Sequence, residues 1–172
     1  MKKLKEFLKR NNACEDGFDF AKDLTLEEFL NTCQRGDWIL WLFARMNPES
    51  LRELTLAKGH CANTVRALMP DERSTNAVDV AIAFGEGKAT REELGAAGAA
   101  ALAAAGGAAG AAGAAAWAAA GVAAAWAAAA WAAAGVAAAG VAAAAAIKQN
   151  QKLTADICRQ YLPLKIWNQK LI

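Results

Sequence analysis

His60 and Cys61 put an imidazole directly beside a thiol, and His60 is the only histidine in the chain. Such a pair could in principle activate a cysteine nucleophile, the imidazole taking the thiol proton. Adjacent residues on a helix point about 100° apart, however, so their side chains do not readily meet. The plainer reading is a helical residue next to a buried cysteine. Cys14, Cys33, His60 and Cys61 have the ligand count of a tetrahedral zinc site. Yet no two of the four cysteines (Cys14, Cys33, Cys61, Cys158) stand two to four residues apart, the spacing on which zinc knuckles rely. The acidic pairs Glu27-Glu28 and Glu92-Glu93 fall where helices are expected to start, and negative charge is favourable there. No GxGxxG, GxxxxGK followed by Ser or Thr, or HExxH motif occurs. The sequence therefore assigns no catalytic, cofactor-binding or metal-binding residue.

Nineteen basic and 17 acidic residues leave a net charge of +2, too balanced to point to nucleic acid. Lys2, Lys3, Lys5, Lys9 and Arg10 cluster near the start, but Glu6 interrupts them, as on a solvated helix face. The same charges break up the apolar run that a signal peptide needs. The expected compartment is the cytoplasm, with reduced cysteines. A length of 172 residues suits a single domain with one core.

Residues 94–147 carry no charge. This run of 54 residues holds 36 Ala and 9 Gly, interrupted by Leu94, Leu102, Trp117, Val122, Trp126, Trp131, Val136, Val141 and Ile147. Methyl groups, hydrogens and three indoles supply neither a general base nor a metal ligand, so the tract can fold, pack or enter a membrane. Ala has the highest helix propensity, and the tract is expected to be helical although each glycine costs about 0.8–1 kcal/mol. Gly106-Gly107 is its weakest point. Gly95, Gly98, Leu102, Gly106, Gly110, Gly113, Trp117 and Gly121 recur every three or four residues and share one face, which a second helix could approach closely. Past Val122 the steps lengthen to five and the face is lost, while GVAAA repeats at 121, 135 and 140 as low-complexity sequence. Trp117, Trp126 and Trp131, with Gly110, Gly113 and Gly121, are the candidate packing or interaction residues. They could serve the core, a partner or oligomer surface, or a lipid contact.

Elements that position these residues can be read on either side. Leu4, Phe7 and Leu8 give a first amphipathic helix, ended by Asn11-Asn12. Glu15-Asp16-Gly17 reads as a turn. Thr25–Glu28 is a capping box, and its helix turns Leu26, Phe29, Leu30 and Cys33 inward. Trp38–Phe43 is apolar all round and belongs at the core. Asn47-Pro48 reads as a helix start whose face runs through Leu51, Leu54, Cys61, Val65 and Leu68, with a bend at Gly59 and a stop at Pro70. Asp71 or Ser74 caps a helix bearing Val78, Ala81, Ile82 and Phe84, ended by Gly85 and Gly87. Thr90–Glu93 is a second capping box. A last helix over 148–162 places Leu153, Ile157 and Tyr161 on one face, Pro163 ends it, and Ile166 and Trp167 pin the tail.

Three blocks, FLKRNNACEDG (7–17), GDWILWL (36–42) and LAKGHCA (56–62), are followed by Asp71-Glu72-Arg73-Ser74, Ala77-Val78 and Phe84-Gly85-Glu86-Gly87. Together they resemble a family of uncharacterised Ala-rich bacterial and phage proteins. A related Ala-rich helical group is labelled as immunity proteins, which inhibit toxins. The resemblance implies a helical fold and brings no catalytic residues. Such relatives carry Asp, Arg, Tyr or Ser through the Ala repeat where this chain has Gly, Val or Trp, which implies that a polar stripe has been lost here.

The expectation is an all-α protein: a short-helix core over 1–89, an Ala/Gly-rich helical segment over 90–147 as one long helix or a hairpin, and a C-terminal helix and tail over 148–172. The expected function is non-enzymatic contact with a protein partner, a toxin or a host protein, with no cofactor and no nucleic acid. It is immunity-like or a phage or prophage accessory role, with homo-oligomers through the Ala/Gly face a further outcome. Two other readings stand beside it. The tract is long enough for a membrane hairpin but poor in the Leu, Ile and Phe that favour insertion. It could also be an ice- or surface-adsorbing helix, although it has no Thr between Thr90 and Thr154.

Overall fold

The computed structural model describes residues 4–69, 71–109 and 141–169, with side chains over 4–69, 71–103 and 146–169. Every regular element among these residues is helical. The α-helices are α1 (Lys5–Arg10), α2 (Glu15–Ala21), α3 (Leu26–Thr32), α4 (Gly36–Met46), α5 (Leu51–Asn63), α6 (Glu72–Gly85), α7 (Arg91–Ala109) and α8 (Val141–Tyr161). Short 3-10 turns lie at Arg66–Leu68 and Leu164–Ile166.

Side-chain caps set the starts of α3, α6 and α7. The Thr25 hydroxyl accepts from the Glu28 amide at 3.2 Å, and the Thr25 amide donates to the Glu28 carboxylate at 2.8 Å. Thr90 and Glu93 repeat the exchange at 3.2 and 2.7 Å to open α7. Asp71, not Ser74, caps α6 by accepting from the Arg73 amide at 2.9 Å. Beyond α1, Asn12 takes a left-handed turn at φ 53°, a conformation Asn tolerates better than most residues.

Four expectations are corrected by packing. Glu15-Asp16-Gly17 begins α2 and is not a turn: two acidic groups sit in its first turn, and a Cβ on Gly17 would lie 3.1 Å from the Cys14 sulfur and 3.7 Å from the Trp38 ring. Asn47-Pro48 does not start α5. Asn47 ends α4, and its side chain donates to the Ile166 carbonyl at 2.8 Å and accepts from the Asn168 amide at 3.3 Å. The face through α5 stops at Asn63, so Val65 is only half-buried and Leu68 is 59% exposed. On α8 the buried face is Ala155 and Cys158, continuing to Leu162 past the helix end, whereas Leu153 is 48% exposed. A small-residue face wins there because α4 approaches too closely for a leucine. A Cβ on Gly36 would fall 2.7 Å from the Thr154 backbone.

The core has two clusters that share α5. The larger joins α1, α2, α3, α4, α5 and α8, with Phe43, Ile39, Leu42 and Met46 of α4 at its centre. The smaller joins α5, α6 and α7 through Ala62, Val78, Ala81, Phe84, Leu94 and Ala97. α5 turns Leu54, Ala57 and Cys61 to the first cluster and Ala62 to the second. It meets α6 antiparallel at two glycines. A Cβ on Gly59 would lie 2.9 Å from Ile82, and one on Gly85 would lie 2.4 and 2.8 Å from Cβ and Cα of Leu56. Gly59 is thus a point of close approach. Arg52 then donates to the Phe84 carbonyl at 2.6 Å, satisfying the end of α6.

α7 runs on through Gly106-Gly107 to Ala109. Its buried residues are Leu94, Ala97 and Gly98, with Ala101 packed beside them, while Gly95 faces open space. The contact stripe therefore keeps Gly98 of the mostly glycine face expected from the sequence but is rotated away from Gly95. Among the described residues no helix is long and apolar enough to cross a membrane.

α8 packs against both α4 and α5. Arg159 on α8 donates to the Leu30 carbonyl at 2.6 Å and to the Cys33 carbonyl, while holding Asp156 at 2.7 Å. A guanidinium placed on the last carbonyls of α3 satisfies acceptors that the helix leaves open and complements its dipole. Beyond Pro163, Trp167 is buried edge-on against Phe43 at 5.0 Å, and its indole N–H donates to the Leu162 carbonyl at 2.8 Å. Trp167 is a pin for the tail, as expected, and Ile166 packs partly buried on the same cluster.

The glycine contacts predict opposite responses to one methyl group. Gly85→Ala forces a Cβ into the Leu56 backbone and lowers stability by about 1–3 kcal/mol. Gly95→Ala meets nothing and raises it by about 0.5–1 kcal/mol through helix propensity. Urea midpoints of the two variants measure this, and shifts of the same sign would contradict the close α5–α6 contact.

Candidate functional site

α5 sends His60 and Cys61 to different neighbours on α8. The His60 ring lies flat on Tyr161, with centroids 4.2 Å apart and planes 9° from parallel. Cys61 turns into the core, where its sulfur stands 3.8 Å from that of Cys158 and 3.7 Å from the Thr154 carbonyl. The adjacent pair is thus divided, as helix geometry requires, and is not assembled as nucleophile and base. Cys158 donates to the Gly36 carbonyl at 3.6 Å, and Cys33 to the Arg35 carbonyl at 3.5 Å. Three thiols therefore lie buried around the start of α4, while Cys14 is exposed, and all four are free.

The zinc set of Cys14, Cys33, His60 and Cys61 is not gathered. Among the described residues no group of three or more His, Cys, Asp or Glu is placed to hold a metal ion. Burial pushes the Cys33 thiol up to about 11. The Cys158 thiol is also raised, first by its hydrogen bond with Cys61 and then by burial. Both are held protonated, the unreactive form of a thiol. One turn before Cys61–Ala62, burial lowers the Lys58 ammonium from 10.5 to about 8.

A second constellation lies on α2 and α4. Phe20 is 39% exposed, and its ring sits 5.7 Å from Trp38 and 6.1 Å from Phe29. Trp38 and Trp41 are half-buried one turn apart on α4. The Arg35 guanidinium lies 4.6 Å over Trp38 and pairs with Asp37 through two bonds of 2.9 and 2.6 Å. Arg45 lies 5.8 Å over Trp41. The sequence signals part of this face: Trp41 to Arg45 is i to i+4, a spacing that brings helical side chains together, whereas Arg35 reaches Trp38 from the extended residue before the helix. The thiol pair had no such signal, because its partners lie 97 residues apart.

A polar hollow of about 320 Å³ opens between α3 and α8, lined by Asn31, Thr32, Gln34, Lys152, Asp156 and Arg159. Its guanidinium is already committed to α3. Trp117, Trp126, Trp131, Gly110, Gly113 and Gly121 lie outside the described residues, as does Pro70. No family model, curated protein or solved structure matches the chain.

Lys58 gives a pH signature. Between pH 8 and 10.5 the unfolded chain holds its proton while the folded chain releases it, so this group makes stability rise with pH over that window. The stability gap between the parent and Lys58→Met, which does not titrate, should therefore shift in the parent's favour by up to about 3 kcal/mol between pH 7 and pH 10.5. Denaturation of both proteins at pH 7, 9 and 10 checks this, and a constant gap would show that Lys58 is not desolvated.

Proposed function

We propose that this protein is a non-enzymatic helical protein that acts by covering a site on a protein partner, in the manner of an immunity protein or a prophage accessory. The observation that carries the reading is the arginine–aromatic face of α2 and α4. Trp38 and Trp41 each set one side on the core and leave part of the ring accessible, with Arg35 and Arg45 stacked over them. Trp and Arg dominate the energetics of protein interfaces. An aromatic ring anchored by packing also loses little side-chain freedom on binding. Arg45 is exposed and can add a forked contact to a partner carboxylate. The mechanism is steric: a rigid helical face occludes the partner's working surface. A toxin or a host protein fits this description, in the cytoplasm.

A photoreactive side chain in place of Arg45 tests the reading in the cell that makes the protein, with the same group in place of Leu153 on α8 as the control. The expected result is one adduct of discrete mass at position 45 and none at 153. With the adduct's partner purified, Trp41→Ala combined with Arg45→Ala should weaken binding by about 30-fold or more while leaving helical content intact. The same adduct pattern at both positions, or none at 45, would sink the proposal.

A further inference from the structure

We propose that Cys61 and Cys158 are a dithiol–disulfide pair whose closure ties α8 covalently to α5. The two sulfurs stand 3.8 Å apart in the larger core cluster. Cys61 is bounded by the Thr154 carbonyl and Cys158 by the Gly36 carbonyl, and Cys33 is turned to the carbonyl of Arg35. Closing the bond requires the sulfurs to approach by less than 2 Å, within the reach of side-chain rotation at a small-residue contact. The ring so formed would enclose the whole uncharged run from 94 to 147.

The chemistry balances with a low-molecular-weight disulfide as the oxidant. Cys61 retains some exposure at 7% whereas Cys158 has none, so the Cys61 thiolate attacks first. It breaks the reagent's S–S bond, forms a mixed disulfide and releases one thiol. Cys158 then attacks the Cys61 sulfur and expels the second thiol. Two protein thiols are oxidised by two electrons, the reagent is reduced to two thiols, and the two protons leave on them. Its hydrogen bond with Cys61 and its burial hold the Cys158 thiol protonated and make closure slow at neutral pH, so the pair resists casual oxidation and responds to sustained oxidising conditions.

The probe is oxidised glutathione, applied both to the folded full-length chain at pH 8 and to the reduced, unfolded chain during refolding. The second arm removes any barrier of access. The expected product has lost two hydrogens, yields a peptide pair joining residues 61 and 158, and melts about 10 °C higher than the reduced form. Cys14→Ser and Cys33→Ser should still give that product, while Cys61→Ser should not. Recovery of both Cys61 and Cys158 as free thiols in both arms would overturn the proposal. So would a bond from either one to Cys33.

Discussion

The closeness of α4 to α8 governs the rest of the fold. Gly36 lets the two backbones meet at Thr154, and the residues that line that meeting are small or sulfur-bearing: Ala155, Cys158, Cys33 and Cys61. Once α8 is seated there, Arg159 reaches the last carbonyls of α3, Tyr161 covers His60, and Trp167 closes over Phe43. Each of these contacts joins the C-terminal helix to a segment more than 90 residues earlier. The N-terminal helices therefore lack one wall of their core until α8 arrives. Much of the cluster's apolar burial, at about 25 cal/mol per Å² removed from water, depends on that arrival.

This dependence explains what could be read from the sequence. Capping boxes at Thr25 and Thr90 are exchanges over three residues, so the sequence contains both partners, and both form. The first helix and the inward set of α3 follow from short-range pattern in the same way. Where a distant partner intervened, local rules failed. Asn47 looked like a helix cap but spends its amide on Ile166, and α8 looked as though it would bury Leu153 but buries Ala155 and Cys158. Gly17 looked like a turn because glycine usually marks one, whereas here it makes room for Cys14 and Trp38 inside a helix.

The candidate face was less legible than the fold for a different reason. Trp38–Phe43 is apolar throughout, and a run without alternation gives no sign of which side stays accessible. The helix buries Ile39, Leu42 and Phe43 and leaves Trp38, Leu40 and Trp41 partly out. Only Arg45, one helical turn from Trp41, marks an exposed aromatic edge in the sequence. The thiol pair was invisible, since α5 and α8 must assemble across 97 residues before Cys61 and Cys158 meet.

The seating of α8 also sets an order of events during synthesis. A growing chain emerges from the ribosome N-terminus first, and α1 to α5 are available long before residues 154–167 have been translated. Until then Phe43, Ile39 and Leu42 face an open groove, and closing it requires ends separated by well over a hundred residues to find each other. All-helical proteins commonly fold fast because their contacts are local. This one carries, in the seating of α8 on α4, the long-range connectivity of a slower topology.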